Sequence, residues 1–390
     1  MIKCFLVRVL VLVKKVLCLL IILLTVWGGS VYAVEVEAES AILVDYDTDE
    51  ILYQKNVNEI AAPSSMTKIM TAYVIFEMLE NGEININDKF KVSVKAWKQD
   101  GTRMFLEPEW KINVDELLKG LLIVSGNDAA VVLAEGSMGT VENFVVRMNK
   151  TAKELGMNDT NFTNPNGLHE KTHYMSVYDL TILSKSLIRK YNKYYEKYFS
   201  QKSYGFNGKS QRNRNWLLSE YEGTDGIKTG FTDQGKYSIA ASAEKDGKRF
   251  IVVLNGVKSD RERTEQCKTL FDYAFSQYQY IELFKAGEVV GDVNLFFGIS
   301  TRVTTYTKDN IYYATKKTRI GNVKVQFVYD KYIFAPIKQD DKIAKIRVID
   351  GNDAIEYDLY AKEGVDVATK THKFRVLFKY YAKKFVYRFF

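Results

Sequence analysis

Ser65-Met66-Thr67-Lys68-Ile69-Met70-Thr71-Ala72-Tyr73-Val74 places apolar side chains at Met66, Ile69, Met70, Tyr73 and Val74. That i, i+3, i+4, i+7, i+8 spacing lays one apolar stripe along a helix. The run closes at Asn81-Gly82, a helix stop signal, and Pro63 just upstream helps to fix where the helix begins. On such a helix Ser65 and Lys68, three residues apart, share a face and come within hydrogen-bond reach. One short stretch therefore predicts a buried element and a reactive pair together.

Working outward, Ala41-Ile42-Leu43-Val44, the polar Asp47-Thr48-Asp49-Glu50 and then Ile51-Leu52-Tyr53 read as strand, turn, strand within Ser40 to Lys55. Downstream, helices are predicted over Val114 to Ser125, Asp128 to Glu135, Val141 to Leu155 and Ser176 to Tyr191. The period then changes. Lys228-Thr229, Tyr237 to Glu244 and Arg249 to Gly256 read as strands, and Arg263 to Tyr278 as a helix. Strands at both ends with helices between them predict an α/β sandwich whose sheet is built from both ends of the domain. After about Tyr280 short alternating runs such as Val323-Lys324-Val325-Gln326-Phe327-Val328 and Ile346-Arg347-Val348, with a hairpin turn at Asp350-Gly351, predict a small β-sandwich domain over 281–366.

A chain of 390 residues has room for two such domains. The net charge of +7 is concentrated at the termini. Residues 1–33 carry four cations and residues 371–390 carry six, neither segment has an acid, and the remaining body is at −3. A basic groove is not indicated, so no nucleic-acid partner is expected. Lys3, Arg8, Lys14 and Lys15, an apolar run from Val16 to Val26 and the small-x-small Val31-Tyr32-Ala33 read as a cleavable export signal over 1–33. Loss of Cys4 and Cys18 with it leaves Cys267, which has no motif around it and reads as a buried structural thiol.

Three motifs stand in order: Ser65-Met66-Thr67-Lys68, Ser125-Gly126-Asn127 and Lys228-Thr229-Gly230. Each alone is weak; in this order, each on the element the chemistry wants, they are a strong signal. A serine hydroxyl needs a base to take its proton, and with no histidine in the motifs Lys68 is the candidate. It must then be partly neutral, which a second cation, Lys228, across a desolvated cleft would promote. Ser125 can pass the proton to the leaving amine, and Asn127 can hold the substrate amide and Lys68. Lys228 and Thr229 can bind an anionic group of the substrate. The backbone N–H groups at Ser65 and Phe231 are the expected oxyanion donors.

Ala62-Pro63-Ser64-Ser65-Met66-Thr67-Lys68-Ile69-Met70-Thr71, Leu121 to Ala130, the loop Asn164-Pro165-Asn166-Gly167-Leu168 and Thr224 to Asp233 resemble the low-molecular-mass penicillin-binding proteins that act as D-alanyl-D-alanine carboxypeptidases. The likeness spans nearly all of 38–366. It implies a serine β-lactamase/transpeptidase-like sandwich, an antiparallel sheet with helices, as the catalytic domain over 34–280. It also implies an acyl-enzyme on Ser65, release of the terminal D-Ala from peptidoglycan stem pentapeptides, and covalent trapping by β-lactams. The same resemblance sets Arg263 near the substrate's terminal carboxylate, with Arg261 close by. Phe231, after Gly230, stands where some members carry a polar ring.

Two rivals follow. A serine β-lactamase shares the three motifs and commonly needs a carboxylate for deacylation, for which Glu154 and Asn158 have a tempting spacing. A non-catalytic wall-binding protein would be expected to have lost the nucleophile or a lysine, and none is missing. His169, His173 and His372 form no ligand set and the first two read as loop surface, so no metal and no cofactor is expected.

In the tail, Phe374, Leu377, Phe378, Tyr381, Phe385 and Phe389 form an apolar stripe beside Arg375, Lys379 and Lys383. This predicts an amphipathic helix over 367–390 lying in the interface of an anionic membrane, at the outer face of the cytoplasmic membrane. The family resemblance implies the same anchor.

Overall fold

The computed structural model of the protein describes residues 34–351 and 353–369. The expected export signal and nearly all of the expected anchor helix lie outside these residues. The apolar run Ala41 to Val44 lies in strand β1 (Ser40–Asp45), buried along its whole length, and pairs antiparallel with β2 (Ile51–Lys55). Asp45 Oδ1 accepts the N–H groups of Asp47 and Thr48 at 3.0 and 2.8 Å and so shapes the turn between them.

Helix α1 (Thr67–Glu80) is buried from Thr67 to Phe76, on all sides and not along one stripe. Its polar groups are consequently paired: Thr71 Oγ1 donates to Pro165 O at 2.6 Å and Tyr73 Oη meets Ser186 Oγ at 2.9 Å. An unpaired hydroxyl here would cost roughly 1–3 kcal/mol. Around it lie α2 (Val114–Leu122), α3 (Asn127–Met138), α4 (Val141–Glu154) and α5 (Val177–Lys190).

The chain then returns as β3 (Thr224–Thr232), β4 (Lys236–Lys245) and β5 (Lys248–Val257). They join the first hairpin in one antiparallel sheet of order β2-β1-β5-β4-β3, closed by Ser40 opposite Asn255 and Asp45 opposite Phe250. This is the expected sandwich, with its sheet drawn from both ends of the domain. Strand alternation supplies both faces. Ile251 and Val253 join the helical core, whereas Phe250 meets Phe275 of α6 (Asp260–Gln277), ring centroids 4.9 Å apart.

Several expected boundaries shift. The helix predicted to reach Ser125 ends at Leu122, because Gly126 N–H turns back to Gly120 O at 2.8 Å. The strand predicted at Lys228-Thr229 runs over nine residues. Helix α6 starts three residues early because Ser259 Oγ caps it, accepting from Glu262 N–H at 3.2 Å, and Ser259 with Glu262 has the spacing of a capping box.

At Tyr278 the chain enters the second domain: β6 (Tyr278–Phe284), β7 (Val289–Phe296), β8 (Arg302–Tyr306), β9 (Ile311–Lys316), β10 (Lys324–Val328), β11 (Ile333–Phe334), β12 (Lys342–Asp350) and β13 (Asp353–Ala361). A six-stranded sheet of order β10-β12-β13-β8-β7-β11 and the pair β6-β9 enclose a core that includes Val293, Leu295, Ile311, Tyr313, Ile346 and Leu359. Tyr280 ties the domains together, its hydroxyl donating to Asp45 and, at 3.3 Å, to Asp47.

Candidate active site

Ser65 lies not in the α-helix itself but in a single 3-10 turn, Ser64–Met66, that leads into it. Lys68 stands three residues on, in the first turn of α1, and so shares a face with Ser65. The 3-10 turn is held from two sides. Ser64, at φ +53°, donates from Oγ to Thr232 Oγ1 at 3.1 Å, and Met66 N–H donates to Pro63 O at 3.1 Å. Its close approach to β3 depends on Gly230, since a Cβ there would meet Ser64 Cβ at 3.0 Å.

Lys68 is fully buried, with Nζ 2.9 Å from Ser65 Oγ, 2.7 Å from Asn127 Oδ1 and 2.6 Å from Asn166 O. Burial pushes its pKa well below the usual lysine range, the nearby Lys228 cation lowers it further, and the Asp128 carboxylate opposes the shift. The geometry suits a neutral amine. Its two N–H groups satisfy Asn127 Oδ1 and Asn166 O, and the lone pair is left to accept the Ser65 O–H. The protonated form has three donors for the same three oxygens.

Ser125 and Asn127 straddle the turn between α2 and α3, Ser125 at φ +62°. Asn127 Oδ1 faces Lys68 while its Nδ2 donates to Asp100 O at 2.6 Å. Thr102 Oγ1 donates to Ser125 O at 2.6 Å, and the buried Asp128 accepts the N–H groups of Met104 and Leu106 at 2.8 and 3.1 Å. The second motif thereby fixes loop 100–106 over the site. Gln211 Nε2, from the hairpin Ser203–Phe206 with Lys209–Arg212, donates to Arg103 O at 3.0 Å and holds the loop from its other side.

Strand β3 forms the opposite wall and is the last strand of its sheet. Lys228 is buried, with Nζ donating to Thr229 O at 3.0 Å; burial, with Arg263 and Arg214 nearby, lowers its pKa to about 7. Arg263 is 3% exposed and donates to Gly230 O and Ser238 O at 3.4 Å, to Arg214 O at 3.2 Å and to Asp260. Burial lowers the Arg263 pKa, against the pull of Asp260. Phe231 is half exposed at the lip of the cleft, its ring 4.5 Å from that of Tyr237.

A cleft of about 680 Å³ joins these walls and is lined by Ser65, Ser125, Asn127, Thr229, Gly230, Phe231 and Arg263, while Lys68 and Lys228 lie beneath it. Arg103, Phe105, Asn166, Gln211 and Arg214 also line it. Arg103, Phe105, Gln211 and Arg214 carry no motif and no periodicity, so sequence reading missed them as site residues; Asn166 lies in the loop Asn164 to Leu168 that carries part of the family resemblance, without having been read as a site residue. Arg103, Arg214 and Arg263 against the single carboxylate of Asp260 make the cleft cationic on a body of net negative charge. It suits an anionic, peptide-sized substrate. Arg261 is exposed and lies outside it.

One expectation is overturned. His173, expected on the loop surface, is 3% exposed and stands behind α1, at Thr67. Its Nδ1 accepts Thr163 N–H at 3.0 Å, so its proton sits on Nε2 and is donated to Thr67 Oγ1 at 2.8 Å. Desolvation lowers its pKa to about 4, with a smaller contribution from His169. Cys267 is buried as expected and its thiol pKa is raised by burial. Glu154, the carboxylate a β-lactamase reading needs, lies exposed on α4 at 3.6 Å from Lys150, away from the cleft.

Residues 29–259 match the family described as D-alanyl-D-alanine carboxypeptidase, and residues 278–367 match the penicillin-binding protein 5 C-terminal domain. The chain is 40% identical over 343 residues to the D-alanyl-D-alanine carboxypeptidase DacF of Bacillus subtilis, covering 85% of this chain and 87% of that protein. The crystal structure of penicillin-binding protein 5 from Haemophilus influenzae superposes with a TM-score of 0.80 at 31% identity, covering 86% of this chain and all of that one. Penicillin-binding protein D2 of Listeria monocytogenes, solved in its ampicillin-bound form, matches at 28% identity with a TM-score of 0.58, covering 62% of this chain and 99% of its own.

Proposed function

The chain belongs to the D-alanyl-D-alanine carboxypeptidase family, and on that premise we propose that Ser65 is the nucleophile with which it removes the terminal D-alanine from peptidoglycan stem pentapeptides. The observation that carries the assignment is the 2.9 Å contact between Ser65 Oγ and the amine of Lys68, in surroundings that favour the neutral lysine.

Lys68 takes the Ser65 proton as Oγ attacks the carbonyl carbon of the penultimate residue. The oxyanion is held by the N–H groups of Ser65 and Phe231. As the peptide C–N bond breaks, the proton passes from Lys68 through Ser125 to the departing amine of D-alanine. An ester on Ser65 remains, and water, deprotonated by Lys68, hydrolyses it. Asn127 orients the substrate amide and Lys68; Lys228, Thr229 and Arg214 bind the terminal carboxylate, and Arg263, bonded to Gly230 O and Arg214 O, holds that wall in place.

A β-lactam presents a strained amide to the same nucleophile and leaves Ser65 acylated. Binding of a β-lactam is supported by the relative solved in its ampicillin-bound form. The β-lactamase reading is disfavoured by the position of Glu154, and the non-catalytic reading by the assembled Ser65–Lys68 pair.

We place the protein at the outer face of the cytoplasmic membrane, held peripherally by its tail. That reading is supported by the sequence of residues 370–390, which has seven Lys or Arg, no acid and eight aromatic residues. The test of the activity is D-alanine release from a stem pentapeptide by the purified protein, together with fluorescent penicillin labelling. Absence of both would refute it.

A further inference from the structure

Three segments of the second domain meet at one end of its sheet. Strand β7 finishes at Phe296 and the chain turns away through Phe297-Gly298-Ile299. Strand β11 runs parallel to it, with Phe334 beside Phe296. On the other side Ile299 N–H donates to Asp366 O at 2.9 Å and Ala368 N–H to Phe297 O at 2.7 Å.

The surface they form is apolar and exposed: Ile299 is 66% exposed, Phe334 53%, Tyr332 47% and Val367 39%. Scattered apolar residues are normal on a protein surface; a contiguous group is not. Here the rings are in contact. Phe296 lies 5.5 Å from Tyr332 and 5.9 Å from Phe334, and Phe297 lies 5.8 Å from Phe334. Phe297 also has φ +61°, a left-handed conformation that costs an aromatic residue on the order of 1 kcal/mol or more. The hydrogen bond from Ala368 holds it there, with its ring against Phe334.

What covers this patch is indicated by where the chain goes next. Ala368 is buried under the patch and bonded to Phe297 O, and two residues later the aromatic, cationic, acid-free segment 370–390 begins. Tyrosine rings sit at the headgroup level of a bilayer, apolar side chains such as Phe and Ile enter the acyl boundary beneath it, and lysines beside them reach to lipid phosphates. Lys331 lies 5.5 Å from the Tyr332 ring.

We propose that the turn Phe296 to Ile299, with Tyr332, Phe334 and Val367, is a second lipid-contacting surface, seated in the headgroup region of an anionic membrane beside the tail. The proposal rests on the membrane reading above and adds to it a defined face of the β domain. The second domain then stands on the membrane by two adjoining contacts, which fixes its orientation as a single tail could not.

The test is Ile299→Trp in the full chain, mixed with phosphatidylglycerol–phosphatidylcholine vesicles with and without bromine on the acyl chains. Sedimentation reports binding and bromine quenching reports contact of residue 299 with lipid. The proposal expects co-sedimentation and a fractional quenching at least about twice that of the parent chain. Co-sedimentation with quenching equal to the parent's overturns the proposal and leaves the tail anchor standing; failure to sediment overturns both.

A tail folded back over the patch would show as an Ile299→Trp emission already blue-shifted without vesicles, moving red when the chain is ended at residue 369, and would also overturn it. In a second variant, Ile299→Ser with Phe334→Ser, vesicle affinity should fall about tenfold, a loss of roughly 1.4 kcal/mol. D-alanine release from a soluble peptide should be unchanged, which shows that the variant is folded.

Discussion

The amine of Lys68 and the carbonyl oxygen of Asn166 are 2.6 Å apart although 98 residues separate them in the chain. With Asn127 Oδ1 that carbonyl takes up both N–H groups of a neutral lysine and turns its lone pair toward Ser65. Lys68→Ala should therefore lower the acylation rate by about 10²–10⁴-fold, the usual contribution of a positioned base. Ser65→Ala should abolish both D-alanine release and the penicillin adduct. Intact-mass measurement after incubation with penicillin decides both, and a retained adduct on Ser65→Ala would remove Ser65 from the mechanism.

The loop that delivers the Asn166 carbonyl passes so close to the Ser64–Met66 turn that a Cβ on Gly167 would lie 1.8 Å from Ser64 O. Gly167→Ala should cost at least about 100-fold in kcat/KM, because the turn or the loop must shift. Gly156 is the control: it shares a positive φ, +80° against +84°, but has nothing within 4 Å of a new Cβ. Gly156→Ala should lose only about 1–2 kcal/mol of stability and keep its activity. Equal kinetic damage in the two variants would show that crowding against Ser64 is not what matters.

Arg214 and Arg263 both line the cleft, but Arg214 is exposed, whereas Arg263 is committed to three backbone carbonyls and Asp260. Arg214→Ala should weaken turnover of peptides ending in a free carboxylate by about tenfold or more relative to an amidated analogue, at unchanged melting temperature. Arg263→Ala should lower the melting temperature and impair both substrates, since it leaves buried carbonyls without donors. Arg261→Ala should do neither. Steady-state kinetics on the paired substrates, with thermal melts, separates the three.

Lys228, with its pKa lowered to about 7, loses its charge in the free enzyme as pH rises through that range. If its charge draws the substrate carboxylate, kcat/KM should fall as pH rises through about 7, while the acid limb follows deprotonation of Lys68. Lys228→Arg stays charged over this range and should remove the alkaline limb. A profile unchanged by the substitution would clear Lys228 of that role.

For His173 the sign is opposite to that of a salt-bridged histidine. Its pKa falls from about 6.5 unfolded to about 4 folded, so the folded state binds fewer protons between those values. The stability is complete above pH 6.5 and drains away as pH falls toward 4, by roughly 3 kcal/mol in all. His173→Gln, which does not titrate, should flatten the melting temperature between pH 7 and pH 4.5. An equally steep loss in the variant would assign the acid sensitivity to other groups.

How far the sequence is readable follows from which forces are local. The helix at Ser65, the flanking strands and the motif residues announce themselves through periodicity and spacing, and they reappear in one cleft. His173 did not, because its burial depends on a loop folding beneath α1, and nothing in the Leu168 to Met175 composition marks that loop as interior. Arg103, Gln211 and Arg214 were equally silent. They enter the cleft through Asp128 gripping the backbone of Met104 and Leu106, and through the hairpin 203–212, contacts between distant segments that leave no period behind. The sequence pattern carries a helix through Ser125, but the Gly126–Gly120 hydrogen bond ends it early.

The position of β3 at the border of its sheet has one more consequence. A border strand exposes unpaired peptide groups, and such a rim invites another molecule to add its own strand, which is how many proteins aggregate. Here the Ser64–Met66 turn packs against it, with Gly230 bare enough to let Ser64 approach and Thr232 bonded to Ser64 Oγ. The turn thereby covers part of the rim that another strand would need. Weakening it, as Gly230→Val would, should therefore reveal itself not only as lost turnover but as self-association on storage.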